Sequence, residues 1–149
     1  MTIVHYSHKL SDAIHVLAYV QIGAGWDLAS KEIAASINAN PSVVRRLMAQ
    51  LVKGGLLTSQ PGAVRPALAR SAESISLLDI YRVVAGTGPL LHLDEQTSPA
   101  CPVGGNIQDT LSAVYDSVQA AAEARMAAIS LQQISDDIVA RAKARQMLA

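Results

Sequence analysis

Asn40-Pro41-Ser42-Val43-Val44-Arg45-Arg46-Leu47-Met48-Ala49-Gln50-Leu51-Val52-Lys53-Gly54-Gly55 carries the signals that start and stop a helix, with a charged face between them. Asparagine is a favoured N-cap because its side-chain oxygen can accept from an unpaired N–H of the first turn. Proline suits the first helical position, where its missing N–H would have had no partner. Val44, Leu47, Met48 and Leu51 recur at steps of three and four and form an inward stripe. Ser42, Val43, Arg45, Arg46, Ala49 and Gln50 are left outward, and the glycine pair ends the helix.

Upstream, Ser30 is read as the cap of a short helix, Lys31 to Ile37, with Ile33, Ala34 and Ile37 on its apolar face. Asn38 to Asn40 is the turn between the two. From Ser7 to Ile22 the apolar residues Leu10, Ala13, Ile14, Leu17 and Ala18 keep a helical period until Gly23 and Gly25 stop it. Downstream, Leu56 to Ser59 and Ala67 to Arg70 are short extended segments around Gln60-Pro61-Gly62, a β-hairpin. Three helices, a tight second turn and a hairpin wing are the order of a winged helix-turn-helix, whose third helix enters the DNA major groove.

Ser76 and Asp79 have capping-box spacing and open a fourth helix, which Gly86 and Gly88 close. Residues 86 to 105 read as a loop. A long helix follows, starting either at Pro102 with Cys101 as cap or at Ile107 with Asn106 as cap. Ile107, Leu111, Val114 and Val118 alternate steps of four and three, the seam by which two helices pair. Ser130 and Gln133 open a last helix running to about Arg145. The expected fold is mainly α with a small β-hairpin wing: a winged helix-turn-helix plus a long dimerisation helix. It divides into a DNA-binding domain (residues 1–85), a connecting or sensor loop (86–105) and a dimerisation and C-terminal helical segment (106–149).

With 149 residues, half of them apolar and 16% charged, the chain can bury one substantial core and is too ordered in composition for a disordered tail. Its apolar runs are too short to span a bilayer, its start lacks a secretory pattern, and one cysteine cannot form an internal disulfide. A cytoplasmic protein is expected. The net charge is zero but unevenly spread. Residues 30–70 hold Lys31, Arg45, Arg46, Lys53, Arg65 and Arg70 against Glu32 alone, as an anion-facing end would.

Within that frame Arg45 and Arg46 suit guanine edges or phosphates, Ser42 suits phosphate and Val43 a thymine methyl. Lys31, Gln60 and Arg65 suit the DNA backbone, and His8 and Lys9 stand where the first helix would meet phosphate. The plainer alternative is that Arg45 and Arg46 solvate an exposed face and Arg65 merely decorates a hairpin. Lys53, in a last helical turn, complements the helix dipole. No paired acid and base, activated nucleophile or phosphate loop is present, so an enzyme is not expected.

The runs Ser30 to Met48, Gly55-Leu-Leu, Pro61-Gly62, Leu68-Ala-Arg, Ile75 to Val84 and Cys101-Pro-Val-Gly-Gly-Asn-Ile keep an order and spacing that resemble the Rrf-two (Rrf2) family of bacterial regulators of iron–sulfur, cysteine and redox-stress genes. The resemblance covers about residues 5 to 130. It implies a dimer whose long helix after Cys101 crosses its partner, groove reading by Ser42, Val43, Arg45 and Arg46, and a wing from Gln60 to Arg65 along the backbone or minor groove. Family members that hold a cluster use three cysteines before the long helix. Here only Cys101 matches, and Glu95 stands six residues earlier. The wing also departs, with Val64, Arg65 and Pro66 where the family's tip is glycine-rich.

Cys101, placed before a helix start, is a candidate redox sensor, because a helix N-terminus favours thiolate. The alternative is a small buried residue packed beneath Pro99 and Pro102. His5, His8, His15 and His92 lack ligand spacing, so no metal and no cofactor are expected. His15 is read as a half-buried packing residue, and Trp26 and Tyr81 as core or interface aromatics. The function expected is a homodimeric, sequence-specific regulator of double-stranded DNA acting as a repressor at a palindromic operator, open to a small-molecule or protein effector. The alternative is an interaction adaptor that keeps the winged fold and long helix without reading DNA.

Overall fold

The computed structural model describes residues 7–59, 65–86 and 88–149. Six helices are present among them: α1 Lys9–Ile22, α2 Ser30–Ile37, α3 Pro41–Lys53, α4 Leu77–Val84, α5 Ile107–Ala127 and α6 Leu131–Ala144. Two short strands, β1 Leu57–Thr58 and β2 Ala67–Leu68, pair antiparallel in the register Leu57 with Leu68 and Thr58 with Ala67. The fold is therefore mainly α with a small hairpin, and residues 86–106 hold no described helix or strand.

The core is built by α1, α2 and α3 around Ala13, Val16, Leu17, Ile33, Val44 and Leu51, closed below by Leu56 and Leu57. Removing these aliphatic side chains from water holds the unit together, at roughly 1.5–3 kcal/mol for each fully buried Val, Leu or Ile. After α5 the chain returns, so that α6 packs on α1 and on a single 3-10 turn at Ala72–Ser74. Leu131 is fully buried in the same core. The return is fixed by a clasp in which Leu77 N–H donates to Ile129 and Leu131 N–H donates to Ile75, both at 2.8 Å. Each side of it is a capping box. Ser76 Oγ accepts from Asp79 N while Asp79 accepts from Ser76 N, and Ser130 and Gln133 repeat the arrangement.

Several boundaries differ from the sequence expectation. The α2 cap is Ala29, with Ser30 already inside the helix, because Asp27 Oδ1 accepts from Ala29 N at 2.9 Å and orders the entry. Of the two starts expected for the long helix, the structure takes Ile107. Asn106 does not cap it with its side chain but donates through Nδ2 to Pro102 O at 2.7 Å. Gln50, expected outward, turns instead to α4 and donates to Val83 O.

Candidate nucleic-acid interface

The α2–α3 connection is set by two asparagines. Asn38 takes a left-handed conformation (φ 60°), which asparagine tolerates, and Ala39 N–H then reaches back to Ala34 O at 2.9 Å, closing the C-terminus of α2. Two residues later Asn40 Oδ1 accepts from both the backbone N and the Oγ of Ser42, each at 2.9 Å, with Pro41 at the first helical position. Only residues 38–40 separate the helices. Ile33 and Ala34 of α2 meet Val44 and Leu47 of α3 in the core, which leaves the opposite face of α3 at the surface.

On that face Val43 (42% exposed), Arg45 and Arg46 stand in solvent and Ser42 is half-buried beside its cap. Arg46 and Val43 share a shallow depression with Lys9 and Asp12 of α1. Arg45 lines another, with Ser30, Ser59 and Pro66 near the wing. Three ion pairs occur among the described residues, Arg70–Asp79, Arg82–Glu123 and Arg141–Asp137, and none uses Lys9, Lys31, Arg45 or Arg46. Cations left unpaired on one surface keep their full field for an external anion. Arg70, also within the basic segment, is neutralised by Asp79 at 2.8 Å.

The remaining expected contacts are placed less uniformly. His8 is exposed at the N-cap of α1, and Lys31 is exposed in the first turn of α2. Arg65 does not project freely. Its guanidinium donates to the carbonyls of Gly23 and Trp26, tying the base of the wing to the α1–α2 loop. Gln60 lies outside the described residues, as does His5. His15 is half-buried and shares a 2.7 Å hydrogen bond with Ser36, Tyr81 is buried, and Trp26 packs edge-on against Tyr19.

The model of the Rrf2 family, described as iron-dependent transcriptional regulators, matches residues 6–137. The chain belongs to the Rrf2 family. A Bacillus subtilis (strain 168) protein assigned as an HTH-type transcriptional regulator, YwnA, is 37% identical over 130 residues, covering 87% of this chain and 96% of that one. A crystal structure assigned as a DNA-binding protein is 36% identical, with a TM-score of 0.67 over 85% of this chain and 97% of its own. The global cysteine regulator CymR of B. subtilis shares the fold at 19% identity, with a TM-score of 0.63 over 90% and 98%.

Iron dependence, named in the family description, is not matched by the donors of this Rrf2 chain. It has one cysteine, and among the described residues no three His, Cys, Asp or Glu side chains gather in a group fit for a metal. An iron–sulfur cluster needs several thiolates, so this donor set does not fit one.

Cys101 itself is exposed, which overturns the buried alternative. It sits in a turn where Gly105 N–H donates to Cys101 O at 2.7 Å and Thr97 Oγ1 donates to Gly104 O. Backbone hydrogen bonds from Gly104 first and Val103 second hold its thiol below the ordinary thiol range. The expected cause was the start of the long helix, but with α5 beginning at Ile107 the turn's own amides do this instead. Gly104 and Gly105 make the turn possible, since a Cβ at either would stand 2.6 Å from Ser98 O or 2.7 Å from Pro99 O.

Proposed function

We propose that this Rrf2 chain is a homodimeric, sequence-specific repressor that lays α3 in the major groove of each half of a palindromic operator. The observation that carries the proposal is the exposed α3 face, with Arg45 and Arg46 unpaired among the described residues and flanked by Lys9. In this reading Ser42 and the first N–H groups of α3 hold phosphate, Arg45, Arg46 and Val43 meet base edges, and His8, Lys9 and Lys31 follow the backbone. The chain works in the cytoplasm, and none of its described helices is long and apolar enough to cross a membrane.

Dimerisation is supported by α5, 21 residues long with none buried and with Val114 50% and Val118 44% exposed. A helix so placed gains most of its stability from packing an apolar face, and Ile107, Leu111, Val114 and Val118 supply that face to a second copy. Residues 1–85 then read DNA, 106–149 hold the partner, and Cys101 in the 86–105 connection senses thiol-reactive oxidants.

The test is binding of the full chain to fragments of its own promoter region, followed by anisotropy at increasing salt. Retention of one short palindromic fragment, lost in the Arg45→Ala/Arg46→Ala double variant, is expected. Equal retention of every fragment, or no change in the double variant, would overturn the groove assignment.

A further inference from the structure

Between α1, the α1–α2 loop and the C-terminal half of α6 lies a cavity of about 570 Å³. Ile14, Ala18 and Ile22 of α1, Trp26 of the loop, and Ile138 and Ala142 of α6 wall it. The cavity follows from how α6 is fastened. At its start Leu131 is buried, Ser135 donates to Gln21 Oε1, and Gln21 Nε2 donates to Gln132 Oε1 at 2.8 Å, so this half lies tight on α1. One turn back along α1 and two turns further along α6, the small side chains Ala18 and Ala142 leave the space between the helices unfilled.

Two features give the space chemical character. Trp26 presents an indole held by an edge-on contact with Tyr19, ring centres 5.2 Å apart. His15 and Ser36 also line the cavity and share their 2.7 Å hydrogen bond there, a polar pair in a mostly apolar wall to which Ser11 and Tyr19 add hydroxyls. Among the described residues no Lys, Arg, Asp or Glu lines it. A charged guest would lose hydration with no counter-charge in return, whereas a neutral one loses little. The volume is that of a small-molecule pocket.

We infer that this cavity binds a neutral, ring-containing small molecule bearing one hydroxyl or carbonyl group. The ring lies against Trp26 and the aliphatic walls, and its oxygen joins the His15–Ser36 pair. The guest touches α1 of the DNA-binding unit and α6, which follows the dimerisation helix.

Trp26 is the only tryptophan in the chain, so its emission reports on the cavity mouth alone. Full-length protein titrated with N-phenyl-1-naphthylamine is expected to show saturable energy transfer from Trp26 at one probe per chain. Displacement by 1-naphthol is expected at about two- to tenfold lower concentration than by 1-methylnaphthalene, the value of one hydrogen bond. His15→Leu should erase that preference while retaining probe binding. Ala142→Phe, filling the space, should weaken the probe at least about tenfold, with thermal unfolding followed in both variants.

Absence of saturation, an unchanged probe affinity in folded Ala142→Phe, or a naphthol preference that survives His15→Leu would overturn the site. Probe binding that appears only on dilution to monomer would overturn it too, showing that a second copy covers this face. No DNA is present in the titration, so its outcome is independent of the operator reading.

Discussion

Arg45 and Arg46, adjacent in sequence, face opposite flanks of α3: Arg46 beside Lys9 and Val43, Arg45 beside Ser30, Ser59 and Pro66. Successive residues on a helix are about 100° apart, so the pair straddles the exposed face instead of doubling one contact. In the proposed groove reading Lys9 and Arg46 would act on one stretch of DNA backbone or base edge, and Arg45 on another. In a double-mutant cycle Lys9→Ala and Arg46→Ala are expected to be non-additive, whereas Lys9→Ala and Arg45→Ala add. A variant that loses a phosphate contact should lower the salt slope of binding by about one, and one that loses a base contact should cost about 1–3 kcal/mol and relax preference at that position. Additivity in both cycles would show that the two depressions are not separate contact regions.

The long helix gives a second prediction. Val114→Glu or Val118→Glu places a carboxylate on the exposed seam of α5, where a partner helix would bury it without a counter-charge. Sedimentation is expected to shift from dimer to monomer, with circular dichroism preserved because neither residue is buried within the single chain. Operator affinity should fall in parallel, since two linked half-sites are lost together. A dimer that persists in both variants would place the interface elsewhere.

What was legible before the structure was mostly local. Asn40-Pro41, Ser76 with Asp79, and Ser130 with Gln133 are short-range patterns in which side chain and backbone meet within three residues, and each forms the cap it announced. The inward stripe of α3 was equally readable from its period. Contacts between distant segments were not. Arg65 looked like a wing-tip cation because nothing nearby competes for it, yet its partners are carbonyls some forty residues earlier. Gln50 faced outward on a helical wheel but lies within reach of α4, and the return of α6 onto α1 leaves Gln132 and a buried Ser135 opposite Gln21 as its polar trace. The α1–α6 cavity belongs to the same class, since it depends on where two helices far apart in sequence stop touching.

The thiol of Cys101 yields a prediction with a definite sign. Hydrogen bonds from the Gly104 and Val103 amides favour the thiolate, so its ionisation lies lower than that of an ordinary cysteine. Alkylation by iodoacetamide should therefore rise at lower pH than for an unstructured peptide thiol and level off sooner. Gly104→Ala forces a Cβ against Ser98 O, opens the turn and removes the leading hydrogen bond, so the midpoint should move up toward that of the peptide. A midpoint that stays put in Gly104→Ala would show that the turn does not set the thiol's acidity. If DNA binding still responds to peroxide in Cys101→Ser, the thiol is not the sensor.

At Gly54 the requirement is steric, not conformational. Its backbone is right-handed helical (φ −79°), which any residue adopts, but a Cβ there would stand 2.5 Å from one Val83 methyl and 2.8 Å from the other. The C-terminus of α3 and the last turn of α4 are thus packed through a position with no side chain, and Gln50, one turn earlier, bonds to the carbonyl of the same Val83. Gly54→Ala should force the two helices apart or Val83 off its rotamer, at about 1–3 kcal/mol, lowering the thermal midpoint by several degrees. Val83 is a half-buried, β-branched residue, so Val83→Ala alone should cost about 0.5–1.5 kcal/mol. Combined with Gly54→Ala it should recover most of the glycine variant's loss, because the added methyl occupies the space the valine vacates. If the two changes simply add, α3 and α4 do not meet through this contact, and the orientation of the exposed α3 face relative to α4 is held by other residues.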